Sequence, residues 1–194
     1  TTRFGSVLND EVEKFLFGAI DKKGAQAVRA FASGDAAAMH YAFQDFFEYI
    51  DAQKLRTPKG LDWLKARYAG LDQIQLMREM QSVRMMHCTL WAEGIREIVS
   101  AKNSDIKFII TDHPVTVYNA AIEPTELACN YPHDPSINLI GSQTLFALDQ
   151  NTCLILTHLE YAQKPESANP LAHRTNARYR GKSLVRTDAF IQGR

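Results

Sequence analysis

The distribution of proline constrains the fold of this chain more than any other feature of its sequence. Residues 1–102 contain only Pro58, whereas the other six prolines occur in residues 103–194. Because proline breaks the interior of a helix, long helices can form in the first part and not in the second. We therefore predict an α+β fold with an N-terminal helical half, a small and mainly antiparallel sheet, and a C-terminal helix. We expect a single domain in two lobes, a helical lobe over residues 1–102 and a strand-rich lobe over residues 103–194 that carries the basic C-terminal helix.

Apolar residues recur at helical spacing throughout the first half. The segments Ser33-Gly34-Asp35 and Thr57-Pro58 each predict a helix start, because aspartate and threonine cap helices and proline is favoured at the first helical position. The longest predicted helix runs from about residue 71 to residue 99, and its apolar stripe is interrupted by Arg84 and His87. The clearest apolar stripes are Val12, Phe15, Leu16, Ala19 and Ile20, and then Met39, Phe43, Phe46, Phe47 and Ile50.

In the second half the apolar period changes towards two, which is typical of strands. Residues 106–110 predict a buried strand and residues 115–118 predict another. Residues 144–148 and 153–157 flank a turn sequence and predict a hairpin. The proline-rich stretch 123–138 predicts a long loop, and such loops often carry function. A helix is predicted from about residue 173.

Composition excludes several classes of protein. The apolar fraction is 45% and the formal net charge is zero, so neither a disordered tail nor binding to nucleic acid through overall charge is indicated. No apolar run is long enough to span a membrane. The three cysteines form no CxxC pair, which is typical of reduced thiols in a cytoplasmic protein.

Charge is unevenly distributed along the chain. Residues 53–67 carry five basic residues and one acidic residue, and residues 170–194 carry six and one. Residues 103–169 carry two basic and eight acidic residues. The basic segments either form solvated faces or form a surface that binds a phosphate-bearing ligand such as nucleic acid.

The segment Thr111-Asp112-His113-Pro114 follows the predicted strand 106–110. An aspartate and a histidine at a strand end could act as an acid and a base in one pocket if the backbone bends there. Alternatively, Asp112 closes a turn and His113 is a surface residue. Both interpretations remain open from the sequence alone.

Two further residues stand out in the helical half. His87 lies on an apolar helix face, where it is either a catalytic group or a satisfied core histidine. Its neighbour Cys88 points about 100° away on the helix, so we reject a Cys88–His87 nucleophile–base pair. Arg56 precedes the Thr57-Pro58 break and either holds an anion or ties two helices together.

Three elements in order carry a resemblance to a known family. They are Gln53-Lys54-Leu55-Arg56-Thr57-Pro58, Phe108 to Val115 with its Asp-His-Pro core, and a late Asn176 before basic residues. The chain resembles the bacterial family called domain of unknown function 4238. The resemblance implies a helical first part, a strand-end motif and then a hairpin, and it points to Arg56, Asp112, His113, Asn119 and Asn176. Family members usually begin with a His-x-x-Pro segment that this sequence lacks; if that segment supplies part of the family's site, we expect the site here to be incomplete.

Two functions follow as hypotheses. The first is a nuclease-like hydrolase acting on nucleic acid or another phosphate-containing substrate, with a divalent metal ion as a candidate cofactor. The second is a non-catalytic module whose helical half binds a protein partner, with the same polar residues joining helices to sheet. The candidate catalytic residues are Asp112, His113 and His87, and the candidate substrate-binding residues are Arg56, Asn119, Asn176 and Arg178.

Overall fold

The computed structural model describes residues 18–158, in which helices precede strands. The helices are α1 Gly18–Ser33, α2 Ala36–Tyr41, α3 Phe43–Leu55, α4 Pro58–Arg67 and α5 Gln73–Glu93. The strands are β1 Ile95–Ser100, β2 Val115–Asn119, β3 Ser142–Ala147 and β4 Thr152–Thr157, with a short 3₁₀ helix at Leu127–Cys129. This order confirms an α+β fold with N-terminal helices followed by an antiparallel sheet. The predicted C-terminal helix and the start of the first predicted stripe lie outside the described residues.

The predicted helix boundaries form through local contacts. At the end of α1, Gly34 adopts a φ of 71°, which a side chain disfavours. Asp35 then caps α2 by accepting a hydrogen bond from the backbone N–H of Ala38 at 2.8 Å. Thr57 caps α4 in the same way through the N–H of Gly60, with Pro58 at the first helical position. Both predicted helix starts are confirmed.

The sheet has the strand order β1-β4-β3-β2, and every neighbouring pair is antiparallel. Strands β3 and β4 form the predicted hairpin, and β2 confirms the strand predicted at residues 115–118. The predicted helix to residue 99 is wrong at its end. Helix α5 stops at Glu93, and Ile95–Ser100 pair with β4 instead. The spacing of Ile95 and Ile98 suits a helix, but β-branched residues after Gly94 also suit a strand, and pairing with β4 decides the outcome.

The buried strand predicted at residues 106–110 is also wrong. Ile106 and Ile109 are 81% and 79% exposed, and the segment forms no strand. Its backbone N–H at Phe108 donates one hydrogen bond to the carbonyl of Gln150 in the β3–β4 turn. A run of β-branched residues forms a strand only beside a partner strand, and none of the described strands lies along this segment.

The hydrophobic core lies between the helices and one face of the sheet. The rings of Phe31 in α1 and Phe46 in α3 stack with centroids 3.7 Å apart, and Phe146 of β3 meets Phe46 edge-on. The buried Trp91 of α5 donates a hydrogen bond from Nε1 to Thr144 Oγ1 at 2.9 Å. These contacts fix α3 and α5 against the sheet.

A second buried cluster packs α1, α3, α4 and α5 on one another. It consists of Ile20, Ala52, Leu55, Leu64, Met80 and Val83. Among the described residues, no helix has both the length and the apolar character needed to cross a membrane.

Candidate functional site

A cavity of about 300 Å³ lies between α3, α4, α5 and the loop that joins β2 to β3. One group of its lining residues is cationic or carries an imidazole: Lys54, Lys59, Arg67, His87, His113 and His133. Another group is apolar: Leu55, Trp63, Met86, Ile137 and Leu139. The long loop predicted from the prolines therefore forms one wall of a cavity, and the basic segment 53–67 forms another.

The corner between α3 and α4 depends on Gly60. A Cβ atom at this position would lie 2.1 Å from the carbonyl oxygen of Lys54 and 2.7 Å from that of Leu55, so only glycine allows the two helices to approach this closely. The close approach places Lys54 and Lys59 side by side. Because Lys59 and Trp63 are four residues apart on α4, both face the cavity.

Asp134, on the loop wall, connects these cationic groups. Its carboxylate accepts hydrogen bonds from Lys54 Nζ at 2.8 Å and Lys59 Nζ at 2.5 Å, and it lies 3.4 Å from His113 Nε2. Burial alone would raise the pKa of Asp134, but the His113 hydrogen bond and the two ammonium groups outweigh it and hold the pKa well below its usual range. The carboxylate is therefore ionised at neutral pH.

His113 links the loop wall to the α3–α4 corner. Its Nδ1 lies 2.9 Å from Thr57 Oγ1, and its Nε2 faces Asp134. The predicted strand-end histidine therefore reaches the cavity, as one hypothesis required. The adjacent Asp112 is exposed and lies outside the cavity wall that the described residues form, so the structure does not bring the two together.

A buried carboxylate holds His87 at the helical side of the cavity. Asp51 is fully buried, and its Oδ1 accepts a hydrogen bond from His87 Nδ1 at 2.7 Å. Arg84 Nε donates to the other carboxylate oxygen at 3.3 Å. Since a carboxylate only accepts hydrogen bonds, Nδ1 carries the hydrogen, and a neutral ring then has its lone pair on Nε2.

Asp51 is not among the predicted site residues, although the sequence contains a signal for it. It lies at i+4 from Phe47 and at i−4 from Leu55, so an acidic residue interrupts the buried face of α3. Arg84 and His87 interrupt the apolar stripe of α5. Polar groups on two facing apolar stripes must pair when they are buried, and these three do.

Cys88 is unsuited to nucleophilic catalysis. Burial, together with the nearby Asp51 carboxylate, raises the pKa of its thiol to about 12. The thiolate is the reactive form of cysteine, and almost none is present at neutral pH. This agrees with the prediction that Cys88 and His87 do not form a nucleophile–base pair.

The other predicted site residues lie away from the cavity or beyond the described residues. Arg56 forms a bidentate ion pair with Asp21, at 2.7 Å and 2.8 Å, which ties the end of α3 to α1. The buried Asn119 donates to Ile140 O and Ser142 Oγ, both at 3.1 Å, and so braces the end of β2. Asn176 and Arg178 lie outside the described residues.

Within residues 18–158, no group of three or more histidine, cysteine, aspartate or glutamate side chains is arranged to hold a metal ion. Comparison with protein-family models, curated proteins and solved structures gives no match to this chain. The resemblance to domain of unknown function 4238 therefore stays a prediction.

Proposed function

We propose that this chain is a hydrolase that cleaves a phosphate ester bond in the cavity, with His87 as the general base. The observation that carries the proposal is that the cavity is lined both by an imidazole held by a buried carboxylate and by a set of cationic side chains. An activated proton acceptor beside an anion-binding group is the arrangement that phosphate ester hydrolysis requires.

The charged side chains that line the cavity favour the binding of an anion. Lys54, Lys59 and Arg67 face the cavity, and Asp134 neutralises only part of their charge. These positive groups would hold the phosphate and stabilise the negative charge that builds up on its oxygens during attack. His113 lines the same cavity and serves as a further contact to the substrate.

The Asp51–His87 pair supplies the proton transfer. His87 Nε2 takes a proton from water, the water oxygen attacks phosphorus, and the bond from phosphorus to the leaving oxygen breaks. The imidazolium then returns its proton to the leaving oxygen. The Asp51 carboxylate stabilises the imidazolium while it exists and keeps the ring in the required tautomer.

The test is a hydrolysis screen of the full chain on RNA, DNA, bis(p-nitrophenyl) phosphate and p-nitrophenyl phosphate, with and without divalent ions. We expect His87→Gln to reduce the rate on the active substrate by about 100-fold or more, because general-base catalysis contributes roughly that factor. His40→Gln is the matched control, since His40 is exposed on α2 away from the cavity. Equal rates for wild type and a folded His87→Gln chain would contradict the proposal.

Asp112 is tested in the same screen. It lies outside the cavity wall, so Asp112→Ala is expected to retain activity if His87 performs the chemistry. Loss of activity in a folded Asp112→Ala chain would instead support the catalytic role that the sequence predicts for the Asp-His-Pro segment.

The second candidate function is a non-catalytic module that binds a protein partner. The observation that favours it is the network from Thr57 through His113 and Asp134 to the two lysines, which joins helices to loop as a polar staple would. Exposed apolar side chains on the helices offer a surface for a partner: Tyr41, Leu61, Ile74 and Met85. Absence of hydrolysis together with a specific complex in light scattering would favour this function.

A further inference from the structure

The size of the cavity restricts its ligand. A volume of about 300 Å³ lies at the lower end of the range for small-molecule pockets. Helices α3, α4 and α5 enclose it on one side and the loop 127–139 on the other. Such a cavity admits one small molecule or the end of a longer one, and it does not admit the middle of a duplex.

The lining divides into a cationic part and an apolar part that contains an aromatic ring. Lys54 and Lys59 meet at Asp134 on the loop side. The indole of Trp63 lies one helical turn further along α4, with the Arg67 guanidinium 5.5 Å from its ring centroid. The His87 ring lies 6.4 Å from the Trp63 ring, so the indole is next to the proposed base.

From this juxtaposition we infer that the cavity takes a nucleotide-sized phosphate ester, with a flat base against Trp63 and its phosphate facing Lys54 and Lys59. The inference rests on the proposed function and adds the class of substrate to it. A purine or a pyrimidine suits the apolar part of the cavity, because every base has a flat face that can stack on an aromatic side chain. The cationic part suits the phosphate.

Isothermal titration calorimetry on the full chain tests the inference with adenosine monophosphate and ribose 5-phosphate. The two probes share the sugar and the phosphate and differ in the base. We expect adenosine monophosphate to bind at least about tenfold more tightly, which is the size of one base–aromatic stacking contact. Equal affinity for the two probes would overturn the base contact and leave the phosphate site intact.

Two variants separate the parts of the site. Trp63→Leu is expected to remove the preference for adenosine monophosphate and to leave the affinity for ribose 5-phosphate unchanged. Lys59→Met is expected to weaken binding of both probes by a similar factor. If a folded Trp63→Leu chain still binds adenosine monophosphate more tightly than ribose 5-phosphate, the inference is overturned. If that chain does not fold, the relative affinity of the wild-type chain for the two probes decides whether the base is bound. Failure of both probes to bind the wild-type chain would count against the phosphate site and therefore against the proposed function itself.

Discussion

Replacing Asp134 with asparagine is expected to destabilise the chain, because this carboxylate forms ion pairs with two largely buried ammonium groups. The Lys54 and Asp134 side chains are 12% and 14% exposed, and Lys59 is 25% exposed. Each charge-assisted hydrogen bond contributes about 1.5 kcal/mol at the lower end of its range, so two contribute about 3 kcal/mol. Lys59 can turn towards solvent in the variant, which reduces the loss of stability. We expect Asp134→Asn to lower the free energy of unfolding by about 2–3 kcal/mol at pH 7.

The same contacts give the effect a defined pH dependence. The pKa of Asp134 is lowered in the folded chain, so its stabilisation is fully present above the ordinary aspartate pKa of about 3.9 and is lost as the pH falls towards the folded-state value. The difference in stability between wild type and Asp134→Asn should therefore narrow by about 1 kcal/mol between pH 7 and pH 3.

Urea denaturation of both chains at the two pH values measures this difference. Asp112→Asn is the matched control, because it makes the same exchange at an exposed carboxyl group and is expected to change stability by less than about 0.5 kcal/mol. The electrostatic reasoning would be refuted if the free energies of unfolding of wild type and Asp134→Asn differed by less than about 0.5 kcal/mol at pH 7. It would also be refuted if this difference were as large at pH 3 as at pH 7.

Two further substitutions and one chemical modification test other features of the structure. Gly60→Ala should destabilise the chain by about 2 kcal/mol in urea denaturation, because its Cβ meets the Lys54 carbonyl oxygen, whereas helix propensity alone predicts a gain of about 1 kcal/mol. Trp91→Phe should cost about 1–2 kcal/mol in the same assay by leaving the buried Thr144 hydroxyl without its donor, and an unchanged midpoint would contradict this. Cys88, with a pKa of about 12, should react with iodoacetamide at pH 8 more than about 100-fold more slowly than an ordinary cysteine, as followed by peptide mass spectrometry; similar rates would contradict the raised pKa.

Features governed by neighbours in sequence could be predicted. Thr57 and Pro58 begin a helix through contacts within one turn, and the β3–β4 hairpin closes through the turn at Asp149, whose side chain accepts from the N–H groups of Asn151 and Thr152. No distant part of the chain is needed for either. Residues 95–100 and 106–110 were misassigned because strand formation depends on a partner strand. Only the fold shows that β4 pairs with the first of these segments and that the second has no such partner among the described residues.

The candidate site also contains features that local sequence predicts and features that depend on distant residues. His87 and His113 were predicted as candidates because each residue type stood out in its local pattern. Their partners could not be predicted, since Asp51 is 36 residues from His87 and Asp134 is 21 residues from His113. Arg56 also stood out. Whether it holds an anion or ties two helices together depends on Asp21, which lies 35 residues away.

The most direct test of the central claim is to titrate the full, ¹⁵N-labelled chain with inorganic phosphate and to follow its six histidine side chains by NMR. His87 and His113 line the same cavity, whereas His40 is exposed elsewhere on the helical half. We predict that phosphate shifts the ring ¹⁵N signals of His87 and His113 with one shared affinity and leaves the His40 signals unchanged. Signals of His87 and His113 that do not respond, or that respond no more than those of His40, would contradict the claim that this cavity is a phosphate site with His87 in its wall.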